Sequence, residues 1–122
     1  MESNMRSWTQ KNGYHLLIQF AEQSHGSFYA EPNQDYAVFF IYKFEEGKTP
    51  DFKAYLMTTA DSLREKYTAR PTEVASTGTA GGQVLQFATN KKMLGGAAKL
   101  PVKVEANPKA RMYVYKKTRK AA

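Results

Sequence analysis

The chain has 122 residues and no cysteine, and this absence removes several classes of chemistry at once. Disulfide bonds, thiolate metal sites and a cysteine nucleophile are all excluded. The two histidines, His15 and His25, stand in a spacing that matches no established metal-binding pattern. A chain without cysteine is consistent with a reducing compartment. We therefore predict a cytoplasmic protein that requires neither a metal nor another cofactor.

Long apolar runs are also absent. No segment approaches the roughly 20 consecutive apolar residues that a transmembrane helix requires. The first six residues contain no apolar stretch behind a basic head, so the sequence predicts no signal peptide. The hydrophobic content of 42%, with eight tyrosines and seven phenylalanines, is sufficient for one core. We expect a single soluble domain over residues 1–122 that has no contact with membranes.

Motifs for catalysis are present only in part. Residues 47–49 read Gly-Lys-Thr, as at the end of a phosphate-binding loop, but Tyr42 occupies a position where that motif requires glycine. Asp35 precedes a predicted strand as in metal-dependent nucleases, but Ile41 stands at the position of the second carboxylate. No Gly-x-Ser-x-Gly nucleophile elbow occurs. We predict a non-catalytic protein with no catalytic residue, and a degenerate nuclease is the enzymatic alternative.

Acidic residues are scarce in the last 40 residues, where Glu105 is the single acid among ten lysines and arginines. This part carries a net charge of +9, whereas residues 1–82 carry eight basic and ten acidic residues, a balance of −2. Crowded like charges repel one another, so clustered basic residues do not serve stability. Such clusters most often make contact with a polyanion. The charge asymmetry therefore indicates a surface for nucleic acid.

The clearest strand signal is the aromatic and β-branched run of residues 35–44, which is apolar on both faces as far as Lys43. This pattern predicts a central strand that is covered on both sides. Residues 45–50 are polar and predict a turn, and residues 52–57 predict a second strand that pairs with the first as a hairpin. The second strand has an apolar face and a mixed face, respectively Phe52, Ala54, Leu56 and Lys53, Tyr55, Met57.

Helical signals are weaker. Residues 13–22 alternate as a strand does but also form an apolar helical face, and we favour the helix. Capping boxes after Met57 predict another helix, with Leu63 and Tyr67 facing the sheet and Pro71 at its end. Residues 1–12 are polar and are expected to be loose. Residues 71–82 are small and polar and predict a mobile loop.

The basic part of the chain predicts mainly strands. Residues 84–89 form one candidate, and residues 100–106 and 111–117 flank an Asn-Pro-Lys-Ala turn at 107–110, which predicts a hairpin. A basic tail follows at residues 118–122. The predicted fold class is α+β, a single domain with a central antiparallel sheet and one or two helices packed on one face.

Alternation along the last two strands separates a core face from a charged face. The core face contains Val102, Val104, Met112 and Val114. The other face contains Lys103, Glu105, Arg111, Tyr113, Tyr115 and Lys117. Tyrosines can stack on bases at about 1–3 kcal/mol each while cations follow the phosphates, which is typical of single-strand binding. The predicted nucleic-acid-binding residues are Lys99, Lys103, Arg111, Tyr113, Tyr115, Lys116, Lys117, Arg119 and Lys120.

The leading functional hypothesis is a small basic protein, without catalysis, that binds single-stranded DNA or RNA mainly by charge and by aromatic stacking. The alternative is a protein–protein module, such as an inhibitor, an immunity protein or an assembly subunit. Such a module would dock its basic face on an acidic partner, or associate with copies of itself. A third interpretation is that the lysines only protect a solvated sheet from aggregation.

Overall fold

The computed structural model describes residues 2–48, 51–58, 72–89 and 99–118. The described elements are α1 (Glu2–Asn12), β1 (Tyr14–Ala30), β2 (Asp35–Lys43), β3 (Lys53–Thr58), β4 (Thr72–Ser76), β5 (Ala80–Ala88) and β6 (Leu100–Lys117). Within these ranges no helix is long and apolar enough to cross a bilayer. The helix predicted after Met57, with Leu63 and Tyr67, lies outside the described residues.

The six strands form one antiparallel sheet in the order β1-β6-β2-β5-β4, and β3 also pairs with β6. β6 is the longest strand, with 18 residues, and β1 pairs along one side of it. The other side of β6 is shared, since residues 111–116 pair with β2 and residues 102–107 pair with β3. We call residues 101–107 the N-terminal half of β6 and residues 111–117 its C-terminal half.

The main core lies on one face of this sheet. Among the core residues that β6 contributes are Val102, Val104, Met112 and Val114, each at most 1% exposed. This burial confirms the predicted core face. Rings from separate elements close the core, and the Phe52 ring beside β3 lies 5.6 Å from Phe40 of β2 and 4.2 Å from Tyr42. The alternating pattern of β6 therefore follows one continuous apolar layer.

β2 is buried on both faces, as its sequence predicts. Phe40 is fully buried in the main core, whereas Phe39 is 2% exposed in a second cluster on the opposite face. α1 covers that second cluster with Met5 and Trp8, and the Trp8 ring lies 5.2 Å from Phe39 in an edge-on arrangement. The predicted antiparallel sheet is confirmed, and strands dominate the described chain. The one helix in the described ranges, α1, is not one of the helices that the sequence predicted.

Two predictions for the first 22 residues are wrong. Residues 2–12 form α1 instead of a loose segment, because Met5, Trp8 and Thr9 share one helical face that packs on the sheet. Residues 14–22 belong to β1 instead of a helix. Gly13, with a φ of 74°, separates helix from strand, and pairing with β6 favours the alternating pattern over the helical one.

Both predicted hairpins are also wrong. β2 has β5 and β6 as neighbours on its two sides, so β3 cannot pair with it and pairs with β6. Residues 107–110 do not form a turn, because β6 runs through them. The pairing with β1 moves from Gln23–Ala110 to His25–Glu105, so β6 bulges there. A proline in a strand is tolerated at a bulge, where its missing N–H breaks no ladder bond.

The loop predicted at residues 71–82 is a hairpin of β4 and β5 over its described part, while residues 84–88 are confirmed as strand. Thr77 closes the turn, since its N–H donates to Ala80 O at 2.8 Å and its Oγ1 accepts from Ala80 N at 3.2 Å. The small residues serve close packing. A Cβ at Gly81 would collide with the ring of Tyr42.

Candidate nucleic-acid interface

The predicted stacking residues Tyr113 and Tyr115 lie beneath α1. Their exposed fractions are 9% and 7%, and the Tyr115 ring meets Phe39 edge-on at 5.6 Å. The side chain of Thr9 in α1 lies close to the Tyr115 hydroxyl. The prediction that these two rings stand exposed is therefore wrong, because the helix formed by the first residues of the chain covers this part of the face.

The same burial affects the phenol chemistry under α1. Burial raises the pKa of Tyr115 above its ordinary value, and the neighbouring Thr9 side chain opposes only part of this effect. Burial also raises the pKa of Tyr14, and the negative charge of Asp35 adds to the increase. Both phenols therefore remain neutral at physiological pH and contribute to the helix–sheet contact.

Two of the three cations in the C-terminal half of β6 have partners within the protein. Arg111 donates from Nη1 to Glu2 of α1 and to the Tyr113 hydroxyl at 3.3 Å. Lys116 Nζ lies 2.6 Å from Glu31 Oε2, and its side chain is 21% exposed. Lys117 is exposed. The predicted residues Arg119 and Lys120 lie outside the described residues.

The N-terminal half of β6 lies in an open part of the same face. Here β6 is flanked by β1 and β3, and residues that pair across an antiparallel ladder point to the same side. Glu105 pairs with both His25 and Tyr55, and Lys103 pairs with both Ser27 and Met57. We call this surface the outer platform; its members are His25, Ser27, Tyr29, Lys53, Tyr55, Met57, Pro101, Lys103, Glu105 and Asn107.

Burial shows which way this platform points. The intervening residues of the three strands are buried in the main core: Gly26, Phe28, Ala30, Ala54, Leu56, Val102, Val104 and Ala106. Tyr29 is 66% exposed and Tyr55 is 42% exposed. The arrangement of cations among open tyrosine rings, which the sequence predicts for the C-terminal half, thus occurs around the N-terminal half.

The two exposed rings are well separated on this platform. Tyr29 pairs with Pro101 and Tyr55 pairs with Glu105, on opposite sides of β6. The two residues are two strand spacings apart across the sheet and four residues apart along β6, so their Cα atoms lie roughly 16 Å apart. Along β6, Lys103 lies between Pro101 and Glu105, the residues that pair with these two tyrosines. Each ring is therefore far enough from the other to receive a base of its own.

Lysines surround these rings, and their ion pairs are exposed. Lys103 Nζ lies 3.3 Å from Glu105, and Lys53 Nζ lies 3.6 Å from Asp51. Exposed pairs of this kind contribute about 0–1 kcal/mol, so either ammonium group can turn to a phosphate at little cost. Lys99 and Lys109, exposed near the two ends of the N-terminal half, add further cations.

Shallow depressions adjoin each tyrosine. One is lined by residues that include His25, Lys53, Tyr55 and Asn107, and another by residues that include Ser27 and Tyr29. The sequence contained a partial signal for this site, since it placed Lys53 and Tyr55 on one strand face. The position of Tyr29 beside them follows only from the pairing of β1 with β6.

Among the described residues, no group of three or more histidine, aspartate or glutamate side chains could hold a metal ion. No protein-family model, curated protein or solved structure matches this chain.

Proposed function

We propose that the protein binds single-stranded nucleic acid, DNA or RNA, on the outer platform, with little choice of sequence and without catalysis. One observation carries this proposal: Tyr29 and Tyr55 are exposed on an open sheet face that also presents Lys53 and Lys103. An open sheet with interleaved aromatic and basic residues offers stacking surfaces and phosphate contacts together.

The energies are sufficient for useful binding. Stacking on two tyrosines supplies about 1–3 kcal/mol per base. Phosphate contacts from Lys53, Lys99, Lys103 and Lys109 add a salt-dependent part, and four contacts to a single strand give a slope of log affinity against log salt of roughly −3. The predicted tail residues Arg119 and Lys120 would add to this slope.

A single strand suits this surface better than a duplex. Bases must be unstacked to lie on tyrosine rings, and a duplex keeps its bases stacked inside. In the described chain the one helix, α1, packs Met5 and Trp8 against the sheet, so it is not free to enter a major groove as a recognition helix does. Recognition of sequence therefore has no structural basis on this platform.

A fluorescence anisotropy titration tests the proposal. Nuclease-treated protein is titrated into labelled single-stranded DNA, single-stranded RNA and duplex DNA of equal length, between about 50 and 200 mM salt. We expect salt-dependent binding to both single strands and weaker binding to the duplex. Absence of salt-dependent binding at the lowest salt would overturn the proposal.

A matched pair of variants locates the contact. Lys103→Ala removes a cation of the outer platform. Lys11→Ala removes an exposed cation at the end of α1, where Lys11 and Lys117 of the C-terminal half of β6 line the same depression. We expect Lys103→Ala to weaken binding and to reduce the salt slope by about 0.7, and Lys11→Ala to change neither. The reverse result would place nucleic acid beside α1 and the C-terminal half of β6, and it would contradict the proposal.

A further inference from the structure

An apolar edge remains that nucleic-acid binding does not use. Leu16, Leu17 and Ile18 of β1 are 46%, 44% and 38% exposed. In the described part of the chain, β6 is the only strand that pairs with β1, so the opposite side of β1 has no neighbouring strand. Three consecutive large apolar residues on such an edge are unusual for a protein that works as a monomer.

These three residues lie beside members of both hydrophobic clusters. Leu16 pairs with Tyr115 on the side covered by α1, and Ile18 pairs with Val114 on the side of the main core. Leu17 is the extra residue of a bulge between them. A ligand on one face of the sheet would cover one side only, whereas a strand laid along the edge would extend both apolar layers.

The charge of this edge favours a second copy of the same chain. β1 has 17 residues, no lysine or arginine, and Glu22 as its only carboxylate. Two molecules that each carry +7 repel one another, so contact between copies requires a surface without cations. The other described edges differ, because β3 carries Lys53 and β4 has only five residues. Edge strands usually carry lysine to prevent pairing, and β1 does not.

We propose that two copies associate by antiparallel pairing of β1 with β1, with a two-fold axis at Gln19. The ladder between β1 and β6 is regular over Ile18, Gln19 and Phe20 and is interrupted by bulges on both sides of this stretch. An axis at Gln19 places Ile18 opposite Phe20 of the second copy, on the core side. A two-fold axis perpendicular to the sheet also places the α1-covered faces of both copies on the same side of the joined sheet. Each copy then contributes the same residues, so the interface is isologous.

Sedimentation equilibrium of nuclease-treated protein tests the association. We expect a mass that rises with concentration from 13.8 kDa towards twice that value. Leu17→Lys, at an exposed bulge position, introduces a cation into the edge and is expected to raise the dimer dissociation constant at least tenfold. Tyr29→Lys, on the same strand outside the apolar edge, is the control and should leave dimerisation unchanged. A monomer at all concentrations, or a dimer insensitive to Leu17→Lys, would overturn the proposal.

The absence of cysteine permits a direct test of register. In the proposed pairing, residue 19 lies opposite its own copy within the distance of about 7 Å that a disulfide allows between Cα atoms. Residue 23 would lie roughly 27 Å from its copy. Gln19→Cys should therefore form a disulfide-linked dimer under mild oxidation, and Gln23→Cys should not. Equal or stronger linkage through residue 23 would contradict edge pairing at Gln19.

Discussion

The two halves of β6 have the same alternating pattern but different surroundings. In the C-terminal half, Tyr113 and Tyr115 are buried under α1, and Arg111 is paired with Glu2 of that helix. In the N-terminal half, Lys103 and Glu105 remain partly exposed, with Tyr55 of β3 on one side and Tyr29 of β1 on the other. Alternation therefore determines the face on which a residue lies. It does not determine whether a distant segment of the chain covers that face.

The largest expected effect is a loss of stability in the C-terminal half of β6, which α1 covers. Tyr115→Ala removes a buried ring that packs on Phe39 beneath α1, so we expect a loss of about 3–5 kcal/mol in the free energy of unfolding. Urea denaturation measures this loss. Tyr115→Phe keeps the ring and should cost at most about 1.5 kcal/mol, because only the hydroxyl beside Thr9 is lost. A Tyr115→Ala protein as stable as the parent would show that α1 does not cover this ring.

Around the N-terminal half of β6, substitutions should affect binding and leave stability nearly unchanged. Tyr55→Ala and Tyr29→Ala remove exposed rings, so each should change stability by no more than about 0.5 kcal/mol. Each should weaken single-strand binding by about 1–3 kcal/mol, or roughly 5- to 150-fold. Anisotropy and urea denaturation on the same samples separate the two effects. Unchanged affinity in the double variant would exclude the outer platform as the binding surface.

Removing the carboxylate of the outer platform should increase its affinity for single strands. Glu105→Gln keeps the shape of the side chain but releases Lys103 from its partner at 3.3 Å. We expect tighter binding of single strands, by up to about 1 kcal/mol or fivefold, because the platform gains net positive charge. Glu45→Gln, which releases Lys48 in a more exposed pair after β2, is the control and should have no effect. Weaker binding by Glu105→Gln would contradict an electrostatic role for this surface.

The smallest predicted effect is a loss of stability at alkaline pH that originates in the covered half. Burial raises the pKa values of Tyr14 and Tyr115 in the folded state. The stabilisation by the neutral phenols is complete below their unfolded pKa of about 10, and it is lost as pH rises through the folded values. Stability curves between pH 8 and 11 should therefore fall less steeply for Tyr14→Phe and Tyr115→Phe than for the parent. Equal slopes would indicate that neither phenol is buried.

Much of the sheet follows from the sequence, because local alternation and burial agree there. β2, β3 and the core residues of β6 were predictable from patterns within each strand. β1 was not, because residues 13–22 fit both periodicities and only pairing with β6, nearly a hundred residues away in the chain, decides between them. The same long-range pairing explains why Pro108 lies within a strand and does not end it.

The candidate site was predictable in type but not in position. The rule that tyrosines and lysines share one strand face holds for β3, where Lys53 and Tyr55 are exposed. It fails for Tyr113 and Tyr115 because the polar sequence of α1 gives little sign that Met5 and Trp8 bury against the sheet. The excess of positive charge lies in the last 40 residues, whereas Tyr29 and Tyr55 come from the part of the chain with a balance of −2.

Photo-cross-linking to a single-stranded oligonucleotide that carries halogenated uracil tests the central claim most directly. Mass spectrometry of the digested complex identifies which aromatic residues meet a base. The predicted result is cross-linking at Tyr29 and Tyr55, which disappears as salt is raised. Cross-linking at Tyr113, Tyr115 or Trp8, with none at those two residues, would show that α1 yields to nucleic acid and that the open half of β6 is not the binding surface.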